Sequence, residues 1–272
     1  MCQLKVSYFM ERKFYKYEGT GNDFVMIDNR SAWFDAKDNK LIAGLCHRRT
    51  GIGADGLILL ENDTQSDFGM LYFNADGFEG SMCGNGGRCI IAFAHFLQVF
   101  DGTTCTFMAY DGLHEGKLRS DGLIELKMSD VANVQHWQNE DFYVLDTGSP
   151  HVVCNVRNLA NIDVYAQGKK IRNAVPFAKK GINVNFVEET NDKHLRVRTY
   201  ERGVEDVTLA CGTGVTAATI AYLEKNTVIA GNYTVYCTVD GGELQVNLTK
   251  NEKGYTNIFL IGPARQSFRG EF

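Results

Sequence analysis

Two cysteines in this chain stand in the same short context. Cys83 opens Cys83-Gly84-Asn85-Gly86 and Cys211 opens Cys211-Gly212-Thr213-Gly214, and each string runs into a helix-like segment. A helix start carries unpaired N–H groups and a partial positive charge. It favours a thiolate, lowering the cysteine pKa from a reference of about 8.5. The same N–H groups can hold a carboxylate, and glycine lets that ligand approach the backbone. If two such starts face each other, a carbon acid between them can lose a proton to one sulfur and regain one from the other on its opposite face. That inverts a stereocentre. One thiol must be ionised and the other protonated, with roles exchanging by direction, so the two titrate as a coupled pair. The competing interpretation is two buried structural cysteines beside Gly-rich turns; the symmetry of the pair weighs against it.

The elements that must position these residues occur in a repeated order. The first half reads as strands near Phe14–Tyr17 and Phe24–Asp28, a helix near Asp35–His47, and strands near Leu57–Glu61 and Phe68–Phe73. A helix beginning at Cys83 follows, then strands Thr103–Met108, Leu113–Leu118 and Leu123–Met128. The second half reads as strands near Phe142–Leu145 and His151–Cys154, a helix near Leu159–Gln167, and strands near Ile182–Val187 and Leu195–Thr199. A helix beginning at Cys211 then leads to strands Tyr233–Val239, Glu243–Leu248 and Tyr255–Leu260. Thr20-Gly21-Asn22 matches Thr147-Gly148-Ser149, and the two Cys-Gly-x-Gly strings match each other, at offsets of 127 and 128 residues. The expected organisation is an extension over residues 1–12, one domain over 13–130 and a like domain over 131–262. The boundary falls in the polar stretch Ser129–Asn139.

Composition narrows the function class. With 44% hydrophobic and 22% charged residues the chain reads as an ordinary globular protein, and a net charge of −5 without a basic stripe argues against nucleic-acid or anionic-membrane partners. The longest apolar stretch, Ile90 to Phe100, is too short to span a bilayer. Met1 to Arg12 lacks the pattern of a secretory signal. The eight cysteines form no compact framework, so a reducing cytoplasm and free thiols are expected.

Other motifs fail on context. Gly51-Ile52-Gly53-Ala54-Asp55-Gly56 fits a dinucleotide fingerprint, with Asp76 downstream, but a helix precedes the glycines and a strand follows them, the reverse of what pyrophosphate binding needs. Cys83, Cys89 and His95 do not share one helical face, and no zinc motif occurs. There is no Gly-x-Ser-x-Gly elbow. No motif excludes pyridoxal phosphate, and nothing calls for it.

Read together, the strings resemble the diaminopimelate epimerase family from about Lys16 to the C-terminus. They are Gly19-Thr20-Gly21-Asn22-Asp23-Phe24, Gly51-Ile52-Gly53-Ala54-Asp55-Gly56, Phe73-Asn74-Ala75-Asp76-Gly77, Cys83-Gly84-Asn85-Gly86-Gly87-Arg88, Gly148-Ser149-Pro150-His151, Asn183-Val184-Asn185-Phe186, Glu201-Arg202-Gly203-Val204 and Leu209-Ala210-Cys211-Gly212-Thr213-Gly214. The resemblance implies two pseudo-symmetric mixed α/β (α+β) domains, each a mostly antiparallel sheet around a central helix, with the C-terminal strand 263–272 returning to the first. It implies interconversion of LL- and meso-diaminopimelate for lysine and cell-wall precursors without cofactor or metal, and a homodimer. By that likeness Cys83 and Cys211 are the acid/base pair, and Gly84, Asn85, Gly212 and Thr213 bind the reacting carboxylate. Asn22, Asn74, Asn183 and Arg202 read the distal amino-carboxylate, and Glu201 and His151 flank the reacting centre. Asn and Arg suit such a substrate, offering acceptors to ammonium and forked donors to carboxylate. Three departures stand out: Ser149 where the family often has Asn, Gly56 where some members have Gln, and a segment before Cys211 about one residue longer. The rivals are a proline or hydroxyproline racemase of the same fold, a phenazine-biosynthesis-type isomerase lacking the cysteine pair, and a non-catalytic amino-acid-binding module.

Overall fold

The computed structural model describes residues 12–80, 82–138, 141–226 and 228–272; apart from Arg12, the expected N-terminal extension lies outside them. The first half contains β1 (Lys13–Gly19), β2 (Asn22–Asp28), α1 (Asn39–Cys46), β3 (Gly56–Glu61), β4 (Phe68–Asn74), α2 (Gly84–Phe96), β5 (Thr104–Ala109), β6 (Gly112–Leu118) and β7 (Ile124–Lys127). It is followed by β8 (Val134–Trp137), β9 (Phe142–Asp146), β10 (Pro150–Asn155), α3 (Val164–Arg172), β11 (Asn183–Asn191), β12 (His194–Glu201) and β13 (Asp206–Thr208). The chain ends with α4 (Gly212–Lys225), β14 (Gly231–Val239), β15 (Gly242–Asn251), β16 (Gly254–Gly262) and β17 (Arg265–Glu271). This is a mixed α+β fold dominated by strands.

Strand pairing repeats in the two halves. β2 runs parallel to β3 as β10 does to β11, and β3 pairs antiparallel with β4 as β11 does with β12. β4 is parallel to β5 as β12 is to β14, and an antiparallel meander finishes each half. The correspondence holds at the level of register. Phe24 faces Gly56 and Met26 faces Ile58, just as His151 faces Asn183 and Val153 faces Asn185. β7 joins the halves by pairing with β16. The last strand, β17, pairs with β1 in the way β8 pairs with β9.

Each meander wraps one helix. α2 is apolar nearly all round, and Cys89, Ile90, Ile91, Phe93 and Ala94 sink into a core with Tyr17, Phe24, Ile58, Phe68 and Phe107. α4 does the same with Val215, Ala218, Ile220 and Leu223 against Val153, Val197, Val235 and Val246. Both helices are therefore held on all sides, and their first turns cannot drift without disturbing a close-packed core.

Several elements differ from the sequence expectation. α1 starts at Asn39 because Asp38 caps Leu41 N–H, shortening the helix expected from Asp35. The helix expected at Leu159 is a 3-10 turn over Leu159–Asn161, and α3 begins only after Asp163 caps Ala166. β8 occupies part of the polar stretch expected to be a boundary, with Trp137 stacked on Phe177. Among the described residues no helix is long and apolar enough to cross a membrane, and the seven described cysteines are free.

Candidate active site

Cys83 and Cys211 are the N-cap residues of α2 and α4, with nearly the same backbone (φ −110°, ψ 124° and φ −118°, ψ 109°). Neither thiol caps its own helix. The first intrahelical bonds run from Gly87 N–H to Cys83 O and from Val215 N–H to Cys211 O, leaving the amides before them directed out of each helix start. The starts touch: a Cβ on Gly212 would lie 3.4 Å from Gly84 Cα and 2.7 Å from Leu260 Cδ2. A side chain at Gly212 would have to push Leu260 aside, and glycine at both positions keeps the approach open. A cavity of about 370 Å³ borders Gly84 and Thr213, with Met82, Thr147 and Gly148 on its wall.

The thiol pKa values move against the sequence expectation. Burial is the largest influence on both, and it pushes both up. At Cys83 the amides of Gly86 and Asn85 and the Arg88 cation pull down, while Glu201 adds to the rise. At Cys211 Glu201 reinforces burial and Cys83 adds a smaller push, against Thr213 and the Gly214 amide; desolvation remains the largest influence. Helix-start stabilisation is present as expected, but desolvation outweighs it. Cys211 also senses the charge of Cys83.

Around the helix starts lies a buried polar network. Arg88, fully buried, donates to Thr20 Oγ1 (2.8 Å), Asn85 Oδ1 (2.9 Å) and Gly84 O (3.2 Å). Asn85 in turn donates to Asn22 Oδ1 (2.6 Å) and to Ala210 O (3.0 Å), the carbonyl just before Cys211. The first half thus tethers the backbone just before the second-half cysteine through one hydrogen bond. Thr213 Oγ1 lies 3.5 Å from Cys211 Sγ, and Thr147 Oγ1 donates to Thr213 O.

The remaining expected residues separate into engaged and exposed. Asn22 Nδ2 donates to Asp55 Oδ2 (2.8 Å), and Arg48 ties Asp55 to Asp23. Asn183 Nδ2 donates to Ser149 Oγ (2.7 Å) while its Oδ1 accepts from Arg202 N–H (2.9 Å), so Ser149 steadies the Asn183–Arg202 link. The Arg202 side chain reaches out and donates to Lys180 O. Asn74 is exposed at the end of β4. Glu201, at the end of β12, accepts from Thr208 Oγ1 and lies within hydrogen-bonding reach of Cys211; burial raises its pKa and these two bonds oppose the rise. The longer segment before Cys211 forms the β12–β13 hairpin, with Glu205 in the left-handed region (φ 59°) and tied to Arg172 Nε at 3.0 Å.

His151 is fully buried. Its Nδ1 lies 3.0 Å from Asn185 Nδ2, and its Nε2 has no hydrogen-bond partner among the described residues. Burial pulls its pKa down to about 3, so the ring is neutral at pH 7. Three functional candidates escape sequence inspection: Arg88, Asn185 and Tyr72. The Tyr72 ring fills the space beside Gly56 and Gly80, where a Cβ would come within 2.6 Å of it, and burial and then the Cys83 charge raise its pKa. Gly56, the departure noted above, is what makes room for this ring. Among the described residues no cluster of three or more His, Cys, Asp or Glu could hold a metal.

Two like halves, each a sheet wrapped round a central helix, define a fold group with solved representatives. The chain superposes on a phenazine biosynthesis protein of the PhzF family from Bacillus anthracis with a TM-score of 0.76 at 14% identity, covering 96% of this chain and 98% of that one. A hydroxyproline epimerase from Agrobacterium vitis gives a TM-score of 0.65 at 15% identity, covering 97% and 92%. At these identities the likeness concerns the fold. Sequence relationships are narrower: the diaminopimelate epimerase family profile matches residues 14–134 and 143–266. A diaminopimelate epimerase from Flavobacterium psychrophilum is 49% identical over 256 residues, which is 94% of this chain and 98% of the relative. This chain belongs to the diaminopimelate epimerase family.

Proposed function

We propose that the protein interconverts LL- and meso-diaminopimelate, with Cys83 and Cys211 as the two proton carriers. The observation that carries this reading is the contact between Gly84 and Gly212, which sets two cysteine-bearing helix starts against each other. The reacting carboxylate binds the free amides at Gly84, Asn85, Gly212 and Thr213. These donors also hold the charge that develops on that carboxylate when the α-carbon loses its proton. One sulfur, as thiolate, takes the α-proton: the C–H bond breaks, an S–H bond forms, and the electron pair delocalises into the carboxylate. The other thiol then gives its proton to the opposite face of the carbon. No electron is gained or lost, so the two thiols supply everything the reaction consumes and no cofactor is required.

Glu201 and His151 flank this centre. Arg202, with Asn22, Asn74 and Asn183, serves the distal amino-carboxylate, the feature that separates diaminopimelate from proline. In this reading the protein works in the cytoplasm as a homodimer, with domains over residues 13–130 and 131–262. The test is proton NMR of LL-diaminopimelate in D₂O with reduced protein, beside L-proline as the rival substrate. Loss of the α-proton signal with formation of the meso isomer, and no exchange into proline, is the expected result. Exchange into proline alone would overturn the substrate, and no exchange into either would overturn the enzyme reading.

A further inference from the structure

His151 is the only buried histidine of the six in the chain, and its tautomer follows from hydrogen-bond bookkeeping at one neighbour. Asn185 is fully buried on β11. Its Nδ2 lies 3.0 Å from Val152 O and 3.0 Å from His151 Nδ1, while its Oδ1 accepts from Thr199 Oγ1 at 2.9 Å. A carbonyl can only accept, so the amide nitrogen must face Val152; turning the amide over would set two acceptors against each other. The second N–H of that nitrogen then points at His151 Nδ1, which must offer a lone pair. A neutral ring with a bare Nδ1 carries its proton on Nε2, the buried atom without a partner among the described residues.

The position in the fold gives this arrangement its meaning. A Cβ on Gly214 would collide with Asn185 Oδ1 and lie 3.2 Å from Cys211 Sγ, so Asn185 sits against the first turn of α4 beside the thiol. In the first half the same strand positions, by register, hold Phe24, Ile58 and Tyr72 in place of His151, Asn185 and Thr199. There the helix start rests on apolar contacts, with Ile58 Cδ1 3.1 Å and Phe24 Cζ 3.6 Å from the place of a Gly86 Cβ. On the face turned to these strands, the fold therefore supports the turn with apolar side chains alone. A buried polar trio is costly to desolvate, and its use in one half only indicates a task beyond packing.

We propose that Asn185 is a positioning residue that locks His151 as the Nε2–H tautomer, making His151 a neutral hydrogen-bond donor to a carboxylate oxygen of the bound amino acid rather than a base for a thiol. Arg202 is the charged group that acts on the His151 ring, and its cation favours an anionic acceptor there. The proposal rests on the amino-acid epimerase reading for the identity of the ligand, but not for the tautomer.

Nitrogen-15 NMR of histidine-labelled wild-type protein tests the tautomer without any variant or turnover. One histidine is expected to keep an unprotonated Nδ1 and a protonated Nε2 from pH 8 down to pH 5, and its Nε2–H proton should shift on saturation with an unreactive diaminopimelate analogue. The assignment is checked by loss of that signal in His151→Gln. An Nδ1–H tautomer, an imidazolium at pH 7, or an Nε2–H signal indifferent to the analogue would overturn the proposal. Asn185→Asp, which would draw the proton to Nδ1, should raise KM tenfold or more with kcat within about threefold, since a donor used equally in the ground and transition states acts on binding. Thr199→Val, which leaves the lock in place but loosens it, should change KM less. An Asn185→Asp enzyme that is folded and has unchanged KM would also overturn it. If the wild type exchanges no α-proton, the epimerase reading fails while the tautomer result stands by itself.

Discussion

Beneath α2 the supporting positions are Phe24, Ile58 and Tyr72; beneath α4, the equivalent positions are His151, Asn185 and Thr199. One helix start rests on apolar contacts and the other on a hydrogen-bonded trio. The charges are divided too. Arg88 lies buried beside Cys83, where α4 has Thr216, which donates to Gly212 O at 3.0 Å. Glu201 lies by Cys211. The backbone is thus symmetric where the proposed mechanism presents two sulfurs to one carbon, and the side chains are asymmetric where it needs the sulfurs to differ in protonation. Glu201 opposes ionisation of both thiols but is within hydrogen-bonding reach of Cys211, while the smaller pull of Arg88 acts on Cys83, so the balance favours the thiolate on the first and the thiol on the second.

The comparison can be broken most severely at the sulfurs. Cys83→Ala and Cys211→Ala should each reduce epimerisation by about a thousandfold or more, within the range of lost acid–base catalysis, because asymmetry in charge does not make either carrier dispensable. A variant with more than about a tenth of wild-type activity would remove its cysteine from the reaction. Next comes Arg88→Met, which removes the cation that the second helix start lacks. Turnover should fall about tenfold or more, as loss of a nearby opposite charge disfavours the thiolate, and Arg88→Lys should recover part of it. Equal rates in the two variants would show that charge at this position is immaterial.

Thiol labelling sharpens the same contrast. Both pKa values are raised, so alkylation of ligand-free protein should climb only above the ordinary thiol range near ~8.5, with Cys83 ahead of Cys211. Peptide mass spectrometry across pH 6 to 10 measures it; equal and rapid labelling at pH 7 would contradict the account. The smallest effect is on stability. The folded-state pKa of His151, about 3, lies below its unfolded value of 6.5. The unfolded chain therefore takes up the proton first, and stability is lost as pH falls below 6.5 towards 3. Between pH 7 and 4.5 this amounts to about 2.5 kcal/mol. His151→Phe, which copies the first half, should show that much less acid sensitivity in urea unfolding, and an identical pH dependence would refute the assignment.

The chain displays its symmetry openly, because two Cys-Gly-x-Gly strings at one offset encode the same local demand: a helix start close to another backbone. The alternating strand runs likewise give the meanders. What is hidden depends on partners distant in sequence. Arg88 reads as an ordinary charge inside an apolar helix until Thr20 and Asn85 close around it. Asn185 reads as one polar residue in a strand until the register sets it against His151 and Gly214. The direction of the thiol pKa shifts is hidden for the same reason, since local strings reveal helix-start amides but not the desolvation imposed by the opposing half. β8 and β13 escape because they are short and polar, held by neighbours rather than by their own pattern.

The central claim is that two different sulfurs serve the two faces of one carbon. The most direct test is the early deuterium content of both isomers when LL-diaminopimelate reacts in D₂O, read by mass spectrometry after chromatographic separation. The account predicts deuterium in the meso product while the remaining LL substrate stays protiated. Deuterium entering both isomers at equal rates from the start would mean that one base serves both faces, and would contradict it.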